Sequence, residues 1–287
     1  MDVEGADVAD NGGRTLASSR NYKWLLFVLL SVLILPLAVM TACSNGGGTT
    51  KLIIFAAAGA KPAIDDVCQT YEQHYPCKLE IGYGGGGEML SRMMLSKAGD
   101  VYIAPEQRFM ESAEEKQAIF PDTMMSIAYM IPVIAVRKGN PTQILTLTDL
   151  ARPGVRVAIT RPETSLLGKY APEIFQKAGL SEAIEKNIVT HASDPNNLLT
   201  MLTMGQIDAG ITWHFYQSLA SDTIDVIFLS PEQLTGVGEM EVAVSAYSTD
   251  IGSAKKFVSF VSSAEGKEIF KKHGYIVDPE EVKKYWR

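Results

Sequence analysis

The residues best placed to do chemistry in this chain are small ones. Ala57-Ala58-Gly59 and Gly84-Gly85-Gly86-Gly87 each stand between a short apolar stretch and a helical pattern. A helix amino terminus exposes unpaired N–H groups and about half a positive charge, so it attracts an anion without a formal charge on the protein. Glycine lets the anion reach the backbone without meeting a side chain. Two such termini facing one cleft would make an anion site from Ala58, Gly59, Gly85, Gly86 and Gly87; for either turn alone, the glycines could equally serve only a tight turn. Thr164, Ser165 and Asn196 are donors at further helix starts, where they either join such a site or cap their helices. Trp213, at a strand end, offers an indole N–H or serves only in packing. Arg161 is a cation close enough to be an anion partner, with a solvent-exposed strand end as its other reading. Glu88 would repel an anion if it faced the cleft, so we expect it to point outward.

Other chemistries find no support. The four histidines, His74, His191, His214 and His273, are scattered without metal-ligand spacing, so no metal is expected. No G-x-S-x-G elbow is present. The glycine run lacks a following Gly-Lys-Ser or Gly-Lys-Thr, and G-x-G-x-x-G spacing fails at Leu90, which argues against nucleotide binding. With 26 Lys and Arg against 33 Asp and Glu, the chain carries a net charge of −7 and no basic stripe for nucleic acid. We expect no enzyme activity and no cofactor.

The elements that must hold these residues read as α/β. A strand at 51–55, a helix beginning at Pro62, a strand at 79–83, a helix carrying Met89, Leu90, Met93 and Met94, and a strand at 100–104 make βαβαβ, hence a parallel sheet wrapped by helices. Residues 128–136 read as one long apolar strand leading into a second α/β unit. That unit has a strand at 155–159, helices near 167–178 and 197–204, and strands at 208–213 and 223–229. A strand at 241–246 leads back, and helices at 254–261 and 265–272 close the chain. Two lobes, the second inserted into the first, leave a cleft at the carboxyl ends of parallel strands. We place lobe 1 at 51–128 and 244–287, lobe 2 at 129–243, and the hinge near 129–132 and 241–243.

The amino terminus addresses the chain out of the cytoplasm. Arg14, Arg20 and Lys23 precede an uncharged run from Trp24 to Met40, too short at 17 residues for a comfortable span and suited to a signal peptide. Leu37-Ala38-Val39-Met40-Thr41-Ala42-Cys43 resembles a lipobox, which makes 1–43 a signal peptide, Cys43 the site of lipidation and 44–50 a flexible tether. In an oxidising compartment Cys68 and Cys77 are expected to form a disulfide.

Phe55-Ala56-Ala57-Ala58, the glycine turn, Gly99-Asp100-Val101-Tyr102-Ile103, Lys138-Gly139-Asn140-Pro141, Arg161-Pro162-Glu163-Thr164, Gly168-Lys169-Tyr170 and Asp208-Ala209-Gly210-Ile211-Thr212-Trp213 follow in order. Together they resemble the periplasmic molybdate-binding proteins of ABC importers over nearly all of 51–275. The resemblance implies a two-lobed, type II-like periplasmic-binding-protein fold and a solute-binding lipoprotein that captures molybdate or tungstate. A phosphorylated or carboxylated organic anion and a non-transport surface lipoprotein are the alternatives. It further implies delivery to an ABC permease with its ATPase, a monomeric state, and attachment to the membrane through the lipid. The family's two anion-binding serines fall on Gly59 and within Gly85–Gly87, leaving only backbone N–H groups there. Its contacts in the second lobe fall near Leu167, on Pro195 and on Trp213.

Overall fold

The structure, a computed structural model, describes residues 50–286. The expected signal peptide, Cys43 and most of the tether lie outside the described residues. The chain opens with β1 (Thr50–Ala57), α1 (Lys61–His74), β2 (Cys77–Gly84), α2 (Gly86–Ser96), β3 (Val101–Ala104), α3 (Gln107–Glu115) and β4 (Met125–Met130). It continues through β5 (Pro132–Arg137), β6 (Val157–Thr160), α4 (Leu166–Lys177), α5 (Ser181–Glu185), β7 (Ile188–Ala192), α6 (Pro195–Thr203), β8 (Ala209–Trp213), α7 (Tyr216–Leu219) and β9 (Ile224–Phe228). The last elements are β10 (Gly238–Val244), α8 (Ile251–Val261), α9 (Ala264–Lys272) and α10 (Pro279–Val282).

Two five-stranded sheets result. The first has the order β2-β1-β3-β10-β4, and the second β7-β6-β8-β5-β9. In the first, β1 runs parallel to β2 and β3, while β10 is antiparallel to β3 and β4. In the second, β6 runs parallel to β7 and β8, while β5 is antiparallel to β8 and β9.

Alternation along β1 explains why helices cover both faces of the first sheet. Leu52, Ile54 and Ala56 join Ile64, Val67 and Tyr71 of α1 in one buried cluster, and the Tyr71 ring meets Phe257 of α8 edge-on at 5.0 Å. Phe55, one residue out of step, joins Met89 and Met93 of α2 and Met110 of α3 on the opposite face. Each fully buried side chain of this size contributes about 1.5–3 kcal/mol. That burial fixes the helices, and with them the turns that precede them.

The apolar run expected as one strand at 128–136 is divided between the sheets. β4 ends at Met130, β5 begins at Pro132, and Ile131 alone stands between them. The run shows no polar break because Ile127, Ala128, Met130, Ile131, Val133 and Ile134 are all buried, in whichever sheet they lie. Pro132 opens its strand, where a missing N–H is tolerated. The return crossing spans 229–237. All of β10 pairs in the first sheet, so 238–243 belongs to lobe 1 and not, as expected, to lobe 2. Five elements had no counterpart in the sequence reading: α3, with two buried apolar residues, β7 at the sheet edge, and the short helices α5, α7 and α10.

The expected disulfide is absent. Cys68 and Cys77 are free thiols. Cys68 projects from α1 into the core, whereas the Cys77 sulfur lies against the carbonyl of neighbouring Lys78 at the start of β2. Both pack at the same buried cluster, Cys68 within it and Cys77 against its edge, and burial pushes both thiols up, away from thiolate reactivity.

Candidate functional site

A cleft of about 760 Å³ is lined by residues of both sheets' connections. Its lobe 1 wall is formed by the turns after β1 and β2. Ala58 and Gly59 sit in a short 3-10 turn leading into α1. A Cβ on Gly59 would lie 3.0 Å from the Tyr216 hydroxyl, which reaches across from lobe 2. Gly85 is the N-cap of α2 with no side-chain cap, and Gly86 and Gly87 form its first turn. All three line the cleft. They are glycines for different reasons: a Cβ on Gly86 would lie 2.6 Å from the Phe109 ring and 2.8 Å from Pro105, while one on Gly85 would meet open space. First-turn N–H groups have no intrahelical acceptor, so the turn before α1 and the start of α2 present donors to the cleft.

The lobe 2 wall brings Thr164, Ser165, Pro195, Asn196 and Trp213 to the same cleft. Their chemistry is more constrained than their positions suggest. The Thr164 hydroxyl donates to the Arg161 carbonyl of its own turn. Ser165 caps α4, accepting from the Leu167 N–H at 3.3 Å and donating to Glu106 at 3.1 Å. Pro195 opens α6 without an N–H to give. Asp194 caps that helix, accepting from the Asn197 N–H at 3.0 Å. Trp213 is 3% exposed and packs edge-on against Tyr170. Leu167, expected as a contact, is fully buried in the core and absent from the cleft wall. It stands at the second helical position, where an apolar side chain is drawn inward, and Ser165, two residues earlier, reaches the cleft in its place. The Arg161 side chain does not line the cleft either.

Among the described residues, every charged side chain lining the cleft is acidic: Glu88, Glu106, Glu163 and Asp194. Three of these carboxylates accept backbone N–H bonds. Glu88 does line the cleft, contrary to expectation, but folds back to accept from the Gly85 N–H at 3.3 Å. Asp194 caps α6, and Glu106 accepts from the Leu166 N–H at 2.8 Å. Glu106, Asp194, Phe109 and Tyr216 were not singled out from the sequence. The only local signal was the Pro105-Glu106 step directly after a strand that ends at the cleft. Attraction for an anion therefore comes from helix termini and backbone donors.

A family model for bacterial extracellular solute-binding proteins matches residues 52–276. The molybdate-binding protein ModA of Mycobacterium tuberculosis is 24% identical over 229 residues, which span 79% of this chain and 85% of that protein. A substrate-binding domain assigned to a molybdenum ABC transporter of Clostridium difficile superposes with a TM-score of 0.68 at 25% identity, covering 80% of this chain and 99% of the domain. PEB3 of Campylobacter jejuni, solved with L-phospholactate bound, superposes with a TM-score of 0.69 at 19% identity over 79% of this chain and all of that one.

Proposed function

The chain belongs to the family of bacterial extracellular solute-binding proteins, and from that premise we propose that it is the capturing subunit of an ABC importer for a small oxyanion, molybdate or tungstate. The observation that carries this reading is the lobe 1 wall. Two helix starts, at Gly59 and at Gly85–Gly87, point backbone donors into a cleft that holds no basic side chain among the described residues. Such donors favour a compact, strongly charged anion whose oxygens accept several N–H bonds at once. The relative that binds molybdate supports the same class. A phosphorylated or carboxylated organic anion is the second reading. It is favoured by a cleft volume in the range of small organic ligands and by the L-phospholactate bound in the PEB3 neighbour.

Capture proceeds by differential affinity: the solute binds the closed arrangement of the lobes better and so populates it. The strand crossings at Ile131 and 229–237 are where the lobes hinge. Delivery is to a membrane permease driven by a separate ATPase, and Cys43, once lipidated, holds the exported protein at the membrane.

Thermal unfolding of the purified protein with molybdate, tungstate, sulfate, phosphate or 3-phosphoglycerate tests the reading. A ligand at about a thousandfold its Kd adds about 4 kcal/mol, several degrees in Tm. A shift with molybdate or tungstate alone is the expected result. A shift with 3-phosphoglycerate alone moves the assignment to organic anions, and no shift with any of the five overturns it.

A further inference from the structure

The most unusual group in the cleft is Glu106. It follows β3 in lobe 1 and stands at the N-cap of α3, yet its carboxylate does not cap that helix. It crosses to lobe 2. One oxygen accepts from Ser165 Oγ at 3.1 Å, and the other from the Leu166 N–H at 2.8 Å and Arg108 Nε at 3.1 Å. Arg108, also of lobe 1, donates through a second nitrogen to the Pro162 carbonyl of lobe 2 at 3.0 Å. Glu106 is only 4% exposed.

The remaining donors at the start of α4 are also occupied. The Leu167 N–H goes to Ser165 Oγ and the Gly168 N–H to the Ser165 carbonyl. Hence α4, whose dipole points at the cleft, has none of its first three N–H groups left for a solute. At its counterpart α2 the Gly85 N–H goes to Glu88 at 3.3 Å, while Gly86 and Gly87 of the first turn line the cleft with N–H groups that have no intrahelical acceptor.

We infer that Glu106 is the specificity-determining residue of the cleft: an internal carboxylate that takes the place of a solute oxygen at α4, joins the lobes without solute, and disfavours dianions by like charge. This rests on the oxyanion reading for its ligand and on hydrogen bonds alone for the latch. The consequence is that α4 gives the solute no backbone donor, so the solute is held by the turns before α1 and at α2, with Asn196 facing it from lobe 2.

Two measurements on the full-length protein test it. The first is titration with molybdate of the parent and of Glu106→Gln, which keeps size and an acceptor while removing charge. Affinity is expected to rise at least about tenfold, equivalent to about 1.4 kcal/mol; a folded variant that binds as the parent or more weakly overturns the specificity role, and a purely structural role predicts no gain. The second needs no ligand. Amide hydrogen exchange across 163–168 in solute-free protein is expected to be at least about tenfold faster in Glu106→Ala than in the parent, and unchanged exchange overturns the latch. If parent and variants alike bind none of the anions, the oxyanion reading falls, and the exchange result still decides whether Glu106 joins the lobes.

Discussion

At the scale of single residues, the glycines of the second turn divide by the space around them, and this separates fold from function. Gly86 cannot carry a Cβ without moving Phe109 or Pro105. Gly86→Ala is therefore expected to destabilise the protein by about 1–3 kcal/mol through overpacking, read as a lower denaturant midpoint at unchanged slope. Gly85 has open space and an extended backbone, φ −66° and ψ 149°, that any residue adopts. Gly85→Ser is expected to leave stability within a few tenths of a kcal/mol. It returns a hydroxyl donor to the wall, tightening the oxyanion by about 3- to 10-fold in a titration, the value of one hydrogen bond. Both results together would show that the run is held by packing at one position and is open to retuning at its neighbour. From the sequence the run was legible as a turn with exposed donors. Which glycine is obligatory was not, because the deciding atoms belong to Phe109 and Pro105, some twenty residues away in the chain.

At the scale of elements, β10 carries a carboxylate whose setting makes a measurable pH dependence. Glu241 is half-buried on the strand, with Glu239, Glu111 and Glu114 as like-charged neighbours. Burial first, and those neighbours second, push its carboxyl up to about 7 from 4.5. The folded protein thus keeps a proton that the unfolded chain releases, so this group's stabilisation is present below about pH 4.5 and is lost as pH rises through about 7. Raising the pH from 5 to 8 is expected to lower the melting temperature of the parent relative to that of Glu241→Gln. Equal changes in the two proteins would show that the strand does not hold the proton. The sequence reading placed a strand at 241–246, overlapping the observed Gly238–Val244. Its partners were not legible there, since pairing with β3 and β4 joins segments more than a hundred residues apart.

At the scale of the molecule, the two lobes meet through very little chain, and His214 sits at the crossing. Its Nδ1 accepts the Ile131 N–H at 3.0 Å, tying the end of the lobe 2 strand to the one residue between β4 and β5. Burial lowers its pKa from 6.5 to about 4. The unfolded chain takes up a proton that the folded protein refuses, so stability is full above about pH 6.5 and is lost as pH falls towards about 4. Between pH 7 and pH 5 the group is expected to cost the parent roughly 2 kcal/mol of stability in denaturant unfolding, at about 1.36 kcal/mol per unit. His214→Gln should lack this loss. Glu241 acts in the opposite sense over part of that range, so the two variants are compared separately. A parent and a His214→Gln variant with the same pH profile would remove the histidine from the account of hinge stability.

The sequence by itself determined the α/β class, the insertion of one unit into another and the placing of small residues at the mouths of parallel strands, because periodicity, glycine turns and helix starts are local properties. It also marked Ser165, Asn196 and Trp213 as candidates for the cleft, since each stands at the end or start of an element, while leaving capping or packing as their other reading. Tertiary structure alone decided the rest. Ile131 divides what reads as one strand, because burial in either sheet looks the same in composition. Leu167 turns inward while Ser165 faces the cleft, a difference of a fraction of a helical turn set by packing. Cys68 and Cys77 remain thiols although both pack at one buried cluster, which their spacing in the chain does not decide. The Glu106 carboxylate crosses from one lobe to cap a helix of the other, about sixty residues on. No local pattern records such a bond, because its strength comes from the low-dielectric space that exists only once both lobes have folded and met.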